Sequence, residues 1–167
     1  YARKHIPATL GICWGALGIA AFLGIPREDY KKKLFGVYET DNLVDDHHIM
    51  GAMDDTFWCP QSRHSGVADE MLELEREKGA LNLLAYAPGV GYVMAETADQ
   101  RFLMHFGNPE YEASTLVEQY THDKEVYGNK AAEPDNFDMT EPVNRWRGHR
   151  TALFQEWIRQ IHESTTY

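Results

Sequence analysis

The segment from Leu10 to Ile25 carries no charged residue and changes character within itself. Ala8-Thr9-Leu10 reads as the end of a buried strand, and Ala16 to Leu23 carries helix formers until Gly24 and Pro26 stop them. The stretch is shorter than the ~20 residues a membrane span needs, and four glycines interrupt it, so it reads as strand, tight turn and buried helix. Lys33 to Tyr38 is a short apolar run suited to a strand, and Asp41 to Asp55 an acidic, histidine-containing loop. The segment Asp54 to Pro60 leads into Gln61-Ser62-Arg63-His64, polar residues crowded after an apolar strand, where α/β proteins place ligand contacts. Val67 to Lys78 reads as a helix with Met71, Leu72 and Leu74 set against acidic residues.

Three strand-like runs follow, Leu81 to Tyr86, Val90 to Ala95 and Arg101 to Phe106. Ala87-Pro88-Gly89 and Ala98-Asp99-Gln100 mark the turns between them. Thr115 to Lys124 reads as a helix, with Leu116 and Tyr120 four apart and Ser114 as N-cap. Glu125 to Pro142 should be irregular. In the last segment Phe154, Trp157, Ile158 and Ile161 mark one face of an amphipathic helix. The alternation of strands and helices makes the fold α/β, and with no internal repeat or long linker residues 1–167 are taken as a single domain.

The formal net charge of −10 argues against nucleic acid and anionic membranes and favours small-molecule substrates. Two cysteines, Cys13 and Cys59, with no CxxC pair and no secretory leader in view, point to a reducing cytoplasm. Asp45-Asp46-His47-His48 has no partners at a fixed helical spacing, so it is taken as a solvated acidic loop and no metal site is expected.

Gly11-Ile12-Cys13-Trp14-Gly15 has the form of a sharp strand-to-helix turn that presents a nucleophile. Cys13 would sit at a helix N-terminus, where free N–H groups and the macrodipole favour thiolate and can hold an oxyanion. The alternative is an inert buried cysteine in a glycine-containing core turn. A cysteine nucleophile needs a base and an orienting carboxylate, and Gly107-Asn108-Pro109-Glu110-Tyr111 is where they would stand, after the strand Arg101 to Phe106. Glu110 can orient a base, but Asn108 occupies the base position and an amide cannot accept the proton. Such a turn normally follows a central strand, yet only about ten residues precede it here. Part of the sheet is therefore expected from elsewhere, through either a processed precursor or a second chain.

Taken together, Gly11-Ile12-Cys13-Trp14-Gly15-Ala16, Gly24-Ile25-Pro26, Lys33-Leu34-Phe35-Gly36-Val37, Asp54-Asp55-Thr56-Phe57, Pro60-Gln61-Ser62-Arg63-His64, Pro109-Glu110-Tyr111 and Pro142-Val143-Asn144-Arg145-Trp146-Arg147-Gly148-His149 resemble the homoserine O-acyltransferase family. These enzymes make O-acetyl- or O-succinylhomoserine for methionine synthesis. The resemblance implies a flavodoxin-like, three-layer α/β sandwich similar to class I glutamine amidotransferases, with the N-terminal part of its sheet absent from this chain. It also implies a Cys-His-Glu triad and ping-pong chemistry through an acyl-cysteine thioester.

Carried over by position, Cys13 matches the nucleophile, Glu110 the triad carboxylate, and Lys33 and Ser62 substrate contacts. Asn108 stands in the triad histidine position, and His122 falls near a substrate-binding arginine of the family. His105 and His64 are the nearest histidines that could substitute as base. No bound cofactor is implied; acetyl- or succinyl-coenzyme A is a substrate, and its phosphates could meet Lys31 to Lys33. The family's N-terminal half, with a lysine beside the oxyanion site, would come from a second polypeptide, or the chain would form a homo-oligomer. Two other readings stay open: a noncatalytic subunit or regulator of the same fold, and a glutamine amidotransferase-type amidohydrolase.

Overall fold

The computed structural model describes residues 2–165. In chain order the elements are α1 (Ala2–His5), β1 (Thr9–Ile12), α2 (Trp14–Phe22), β2 (Glu28–Asn42), β3 (Thr56–Gly66), α3 (Asp69–Glu77), β4 (Leu81–Ala87), β5 (Gly91–Thr97), β6 (Phe102–His105), α4 (Ala113–Tyr127) and α5 (Arg147–Thr165). The six strands form one sheet in the order β1-β6-β5-β4-β2-β3. Only β1 and β6 run parallel, because the remaining neighbours are antiparallel pairs.

The strands β4, β5 and β6 read as nearly continuous apolar runs because both faces of the sheet are covered there. Leu81, Leu83, Ala95 and Met104 pack against Ala16, Leu17 and Ala20 of α2 and Leu72 of α3. Leu84, Val93 and Leu103 face the other way, onto Leu153 of α5 and onto Ile49 and Met50 of the β2–β3 connection. Helices, sheet and helix-plus-loop thus make three layers. A third cluster, Phe35 and Val37 with Leu116 and Trp146, docks α4 on the β2–β3 ribbon.

Several elements depart from the pattern-based reading. The strand expected over Lys33 to Tyr38 extends through fifteen residues, with its pairing to β3 slipping between Asp29 and Leu34, where the three lysines fall. Pro60 to His64 lie inside β3 rather than after it, a position open to proline because β3 is the edge of the sheet. The cap of α4 is Glu112, in a reciprocal capping box with Thr115, and not Ser114. In α5 the fully buried residue is Leu153, while Ile158 turns outward, so the expected apolar face is rotated. The β2–β3 connection is not the freely solvated loop expected. His47 and His48 turn inward onto Glu96 of β5, a partner 49 residues away from His47 that no local spacing discloses.

At the opposite edge, β1 pairs with β6 alone, and its outer side has no strand partner among the described residues. Beside it α2 leaves Trp14 and Phe22 67% and 64% exposed, although the helix contains no charged residue. No helix among the described residues is long and apolar enough to cross a membrane.

Candidate active site

Cys13 lies between β1 and α2 as the helix N-cap, with φ 50° and ψ −108°. Positive φ is costly for a side chain with a Cβ, and the surrounding contacts hold it. The Cys13 N–H donates to the His105 carbonyl at the end of the neighbouring strand (2.8 Å), and its carbonyl accepts from the Leu17 N–H (3.1 Å). Behind the turn, a Cβ on Gly11 would come within 2.7 Å of the Gly15 backbone, so only glycine lets strand and helix approach this closely. The half-buried thiol therefore stands at the N-terminus of a nine-residue helix, as the strand-to-helix pattern implied. Cys59 is 2% exposed, and burial pushes its thiol up to about 12. Of the two cysteines, Cys59 is the core residue.

The loop after β6 brings the other triad positions together. Asn108 is buried and fully used: its N–H donates to the Pro60 carbonyl (2.8 Å), its Oδ1 accepts from the Ser62 N–H (2.9 Å), and its Nδ2 donates to Glu110 Oε1 (3.2 Å). Burial raises the Glu110 carboxyl above its ordinary range, and the Asn108 hydrogen bond opposes that. The Asn108 side chain thus presents to Glu110 the N–H that an imidazole would present. Its other end faces a backbone donor and offers nothing that could take a proton from a substrate. Trp146 fixes the loop by donating its indole N–H to the Tyr111 carbonyl (2.7 Å).

Ser62 and Tyr111 both donate to Gln119 Oε1 on α4, each at 2.9 Å. One turn further along α4, Asp123 pairs with Lys33, whose ammonium also lies 4.4 Å above the Phe35 ring. Both expected substrate contacts, Ser62 and Lys33, therefore meet the same helix. His122, beside Asp123, points to solvent. His64 is also exposed, on β3. His105 is fully buried: its Nδ1 accepts the Gly107 N–H (3.2 Å), its ring lines a tight apolar pocket with Cys59, Met94 and Leu153, and desolvation pushes its pKa down to about 4. It is a neutral core histidine, corrected here from a candidate substitute base. Its Nδ1 lone pair is already engaged.

Sequence reasoning passed over Arg63. It alternates inward on β3 with Cys59 and Gln61, is 6% exposed, stacks 5.6 Å from the Tyr30 ring, and its Nε has no hydrogen-bond partner among the described residues. Burial lowers its pKa, while Tyr30, Cys59 and Cys13 hold it up, so the guanidinium lies within electrostatic reach of the Cys13 thiol. Tyr111 is raised by burial first, with Glu110 and Cys13 adding to it, so that phenol is within electrostatic reach of the thiol as well. The arginine within Pro60 to His64 was visible in the sequence, but its inward direction follows from strand register alone.

In fold, the chain is similar to a glutamine amidotransferase of Thermotoga maritima, with a TM-score of 0.66 at 17% identity over 98% of this chain and 65% of that one. A glutamine amidotransferase from Methylobacillus flagellatus gives 0.57 at 11% identity, again over 98% of this chain and 65% of that one. In sequence it is similar to proteins named homoserine O-acetyltransferase in Bacillus subtilis (30% identical over 172 residues) and Petrotoga mobilis (34% over 174), and to the homoserine O-succinyltransferase of Photobacterium profundum (33% over 174). Each match takes in all of this chain and 56%, 55% and 54% of the relative, so the chain spans about half the length of the curated relatives it matches. The profile of the homoserine O-succinyltransferase family matches residues 1–167. With its flavodoxin-like, glutamine amidotransferase-type sandwich and this match over its whole length, the chain belongs to the homoserine O-succinyltransferase family.

Proposed function

We propose that the chain is the nucleophile-bearing part of an O-acyltransferase that moves an acetyl or succinyl group from acyl-coenzyme A through Cys13 to the hydroxyl of homoserine or serine. The observation that carries this reading is the strained, half-buried Cys13 at a helix N-terminus, in electrostatic reach of Arg63 and Tyr111. In the first half-reaction the Cys13 sulfur attacks the thioester carbonyl, a new C–S bond forms, and coenzyme A leaves as its thiol with the proton Cys13 gave up. In the second, the acceptor hydroxyl attacks the acyl-cysteine, an ester forms and the Cys13 sulfur leaves. The buried Arg63 guanidinium suits a carboxylate, which a succinyl group and an amino-acid acceptor both carry. Acyl-coenzyme A enters as a substrate, and no resident cofactor is invoked. The two unpaired cysteines suit a reducing cytoplasm.

The second half-reaction is the weak point. The hydroxyl proton needs an acceptor, and Asn108 has both ends of its amide engaged. General-base help is typically worth about 10² to 10⁴ in rate, so acyl-Cys13 should form faster than it is consumed. The same observation favours the second reading, a regulator or noncatalytic subunit that binds a metabolite on this fold. Incubation with acetyl- or succinyl-coenzyme A followed by intact-mass measurement separates them. An acyl adduct mapped to Cys13, discharged slowly by homoserine or serine, supports the transferase. Acceptor binding without any adduct supports the regulator, and ammonia release from glutamine would instead favour an amidohydrolase.

The outer edge of β1 and the exposed apolar side of α2 belong to the same proposal. An unpaired strand edge is a template for further strands, and a helix apolar all round is normally buried. Further polypeptide, from a second chain or a second copy, would pair with β1 and cover Trp14 and Phe22, completing the surroundings of Cys13. Hydrogen exchange tests this: Trp14 to Phe22 and β1 should gain protection when that partner is added.

A further inference from the structure

We propose that His47, His48 and Glu96 form a transition-metal site on the side of the sheet away from α2, with Zn²⁺ as the cation that suits its donors. Glu96 lies on β5 with hydrogen-bonded strands on both sides, opposite Leu103 in the register, and is 0% exposed. A carboxylate in such a place requires a positive partner. What faces it is two imidazoles from the β2–β3 connection, with their rings 4.0 Å apart. His47 Nε2 is 2.9 Å from Glu96 Oε2, and His48 Nε2 is 3.4 Å from Glu96 Oε1. The second contact is not a hydrogen bond, and both of its atoms, His48 Nε2 and Glu96 Oε1, are buried with no hydrogen-bond partner among the described residues.

The spacing is that of a ligand set. One donor atom from each of the three residues lies within 4.8 Å of the others. A tetrahedral Zn²⁺ with bonds of about 2.0–2.2 Å holds its ligand atoms about 3.3–3.5 Å apart, within the 4.8 Å that encloses these three donors. Two imidazole nitrogens and one carboxylate oxygen is also a donor set that zinc uses with its fourth position left to water. That position has a route to solvent, because His47 and His48 line an open cleft with Asp46, Arg76 and Gln100. Arg76 is the one cation lining that cleft among the described residues, and Asp46 sets a negative charge in the same cleft. On binding, His47 gives up the long bond its Nδ1 accepts from the Ile49 N–H (3.3 Å), since a metal-bound ring carries its proton on the other nitrogen.

Such a site would tie the connection holding Ile49 and Met50 to the centre of the sheet, and so brace the cluster that α5 completes. The test uses the full chain freed of metal with a chelator and then titrated with Zn²⁺ by calorimetry, with Co²⁺ as a spectroscopic probe. One equivalent should bind, the Co²⁺ form should show tetrahedral visible bands without a thiolate charge-transfer band, and Tm should rise by about 5–10 °C at a hundredfold excess over Kd. His48→Ala, at a residue that reaches the cleft, and the isosteric Glu96→Gln should each abolish binding and the Tm shift. A chain that binds no equivalent of Zn²⁺, and so holds a buried ion pair only, overturns the proposal. Binding that survives in either variant, or bears a thiolate band, also overturns it by placing the metal elsewhere.

Discussion

Selective alkylation tests the assignment of the two thiols most directly, because Cys13 is half-buried while Cys59 is fully buried with its pKa raised. Thiolate is the reacting species, and burial pushes Cys59 from an ordinary 9.0 up to about 12, with Arg63 opposing the rise and Glu110 adding to it. Three units correspond to about a thousandfold less thiolate than an unburied thiol holds near neutral pH. Access adds to this, since Cys59 is 2% exposed and reacts only when the core around Phe57 and Leu153 opens. Iodoacetamide at neutral pH, sampled over time and mapped by peptide mass, should therefore modify Cys13 first and Cys59 at least about a thousandfold more slowly than a free thiol. In Cys13→Ser, labelling should fall to that residual rate, and denaturant should restore one equivalent. Alkylation of Cys59 before Cys13 in protein that still melts cooperatively would refute the reasoning.

Three further outcomes are expected. Asn108→His should raise turnover with an acyl-coenzyme A and homoserine by about 10² to 10⁴, because imidazole can donate to Glu110 and still accept the hydroxyl proton; an unchanged rate in steady-state assays means that another group is the base. His105 is neutral in the fold, with its pKa lowered from 6.5 to about 4, so the stability it contributes is present above pH 6.5 and is lost as pH falls through 4. That loss amounts to about 3 kcal/mol, and urea melts at several pH values should show it in the parent and not in His105→Gln. Gly11→Ala drives a Cβ to 2.7 Å from the Gly15 backbone and should cost about 1–3 kcal/mol, lowering Tm by about 2–10 °C and slowing Cys13 alkylation, whereas Gly15→Ala meets open space; equal melts for the two would refute the steric account of the turn.

Much of the site could be read from the residues because its parts are local. A nucleophile turn is a strand, a glycine, a cysteine and a helix in succession, and Asn108 and Glu110 are two residues apart, so their juxtaposition needs no knowledge of the rest of the fold. The positions of β1, α2, α3 and the β4–β6 meander were equally local, since apolar runs between turn residues mark them. What chain order alone could not supply was direction and long-range pairing. Whether His105 or Met104 faces α5 depends on the register of β6 against β5, and a shift of one residue would exchange them. Arg63 turns into the core, and not to solvent like His64, for the same reason. The long β2–β3 ribbon hid its extent because its lysines and acids carry no strict alternation.

Tertiary structure also decided which polar residues found partners. Lys33 with Asp123, Ser62 with Gln119, and His47 and His48 with Glu96 are each joined across 48 or more residues. No spacing rule reaches that far. The sequence by itself determined the local geometry of the candidate nucleophile and the family resemblance, because both are carried by contiguous residues. Only the packed sheet decided that His105 is a core histidine, that the acidic loop folds inward onto a buried carboxylate, and that β1 stands at the edge of the sheet. Burial and strand order belong to the assembled chain, and desolvation and pairing act only once it has assembled.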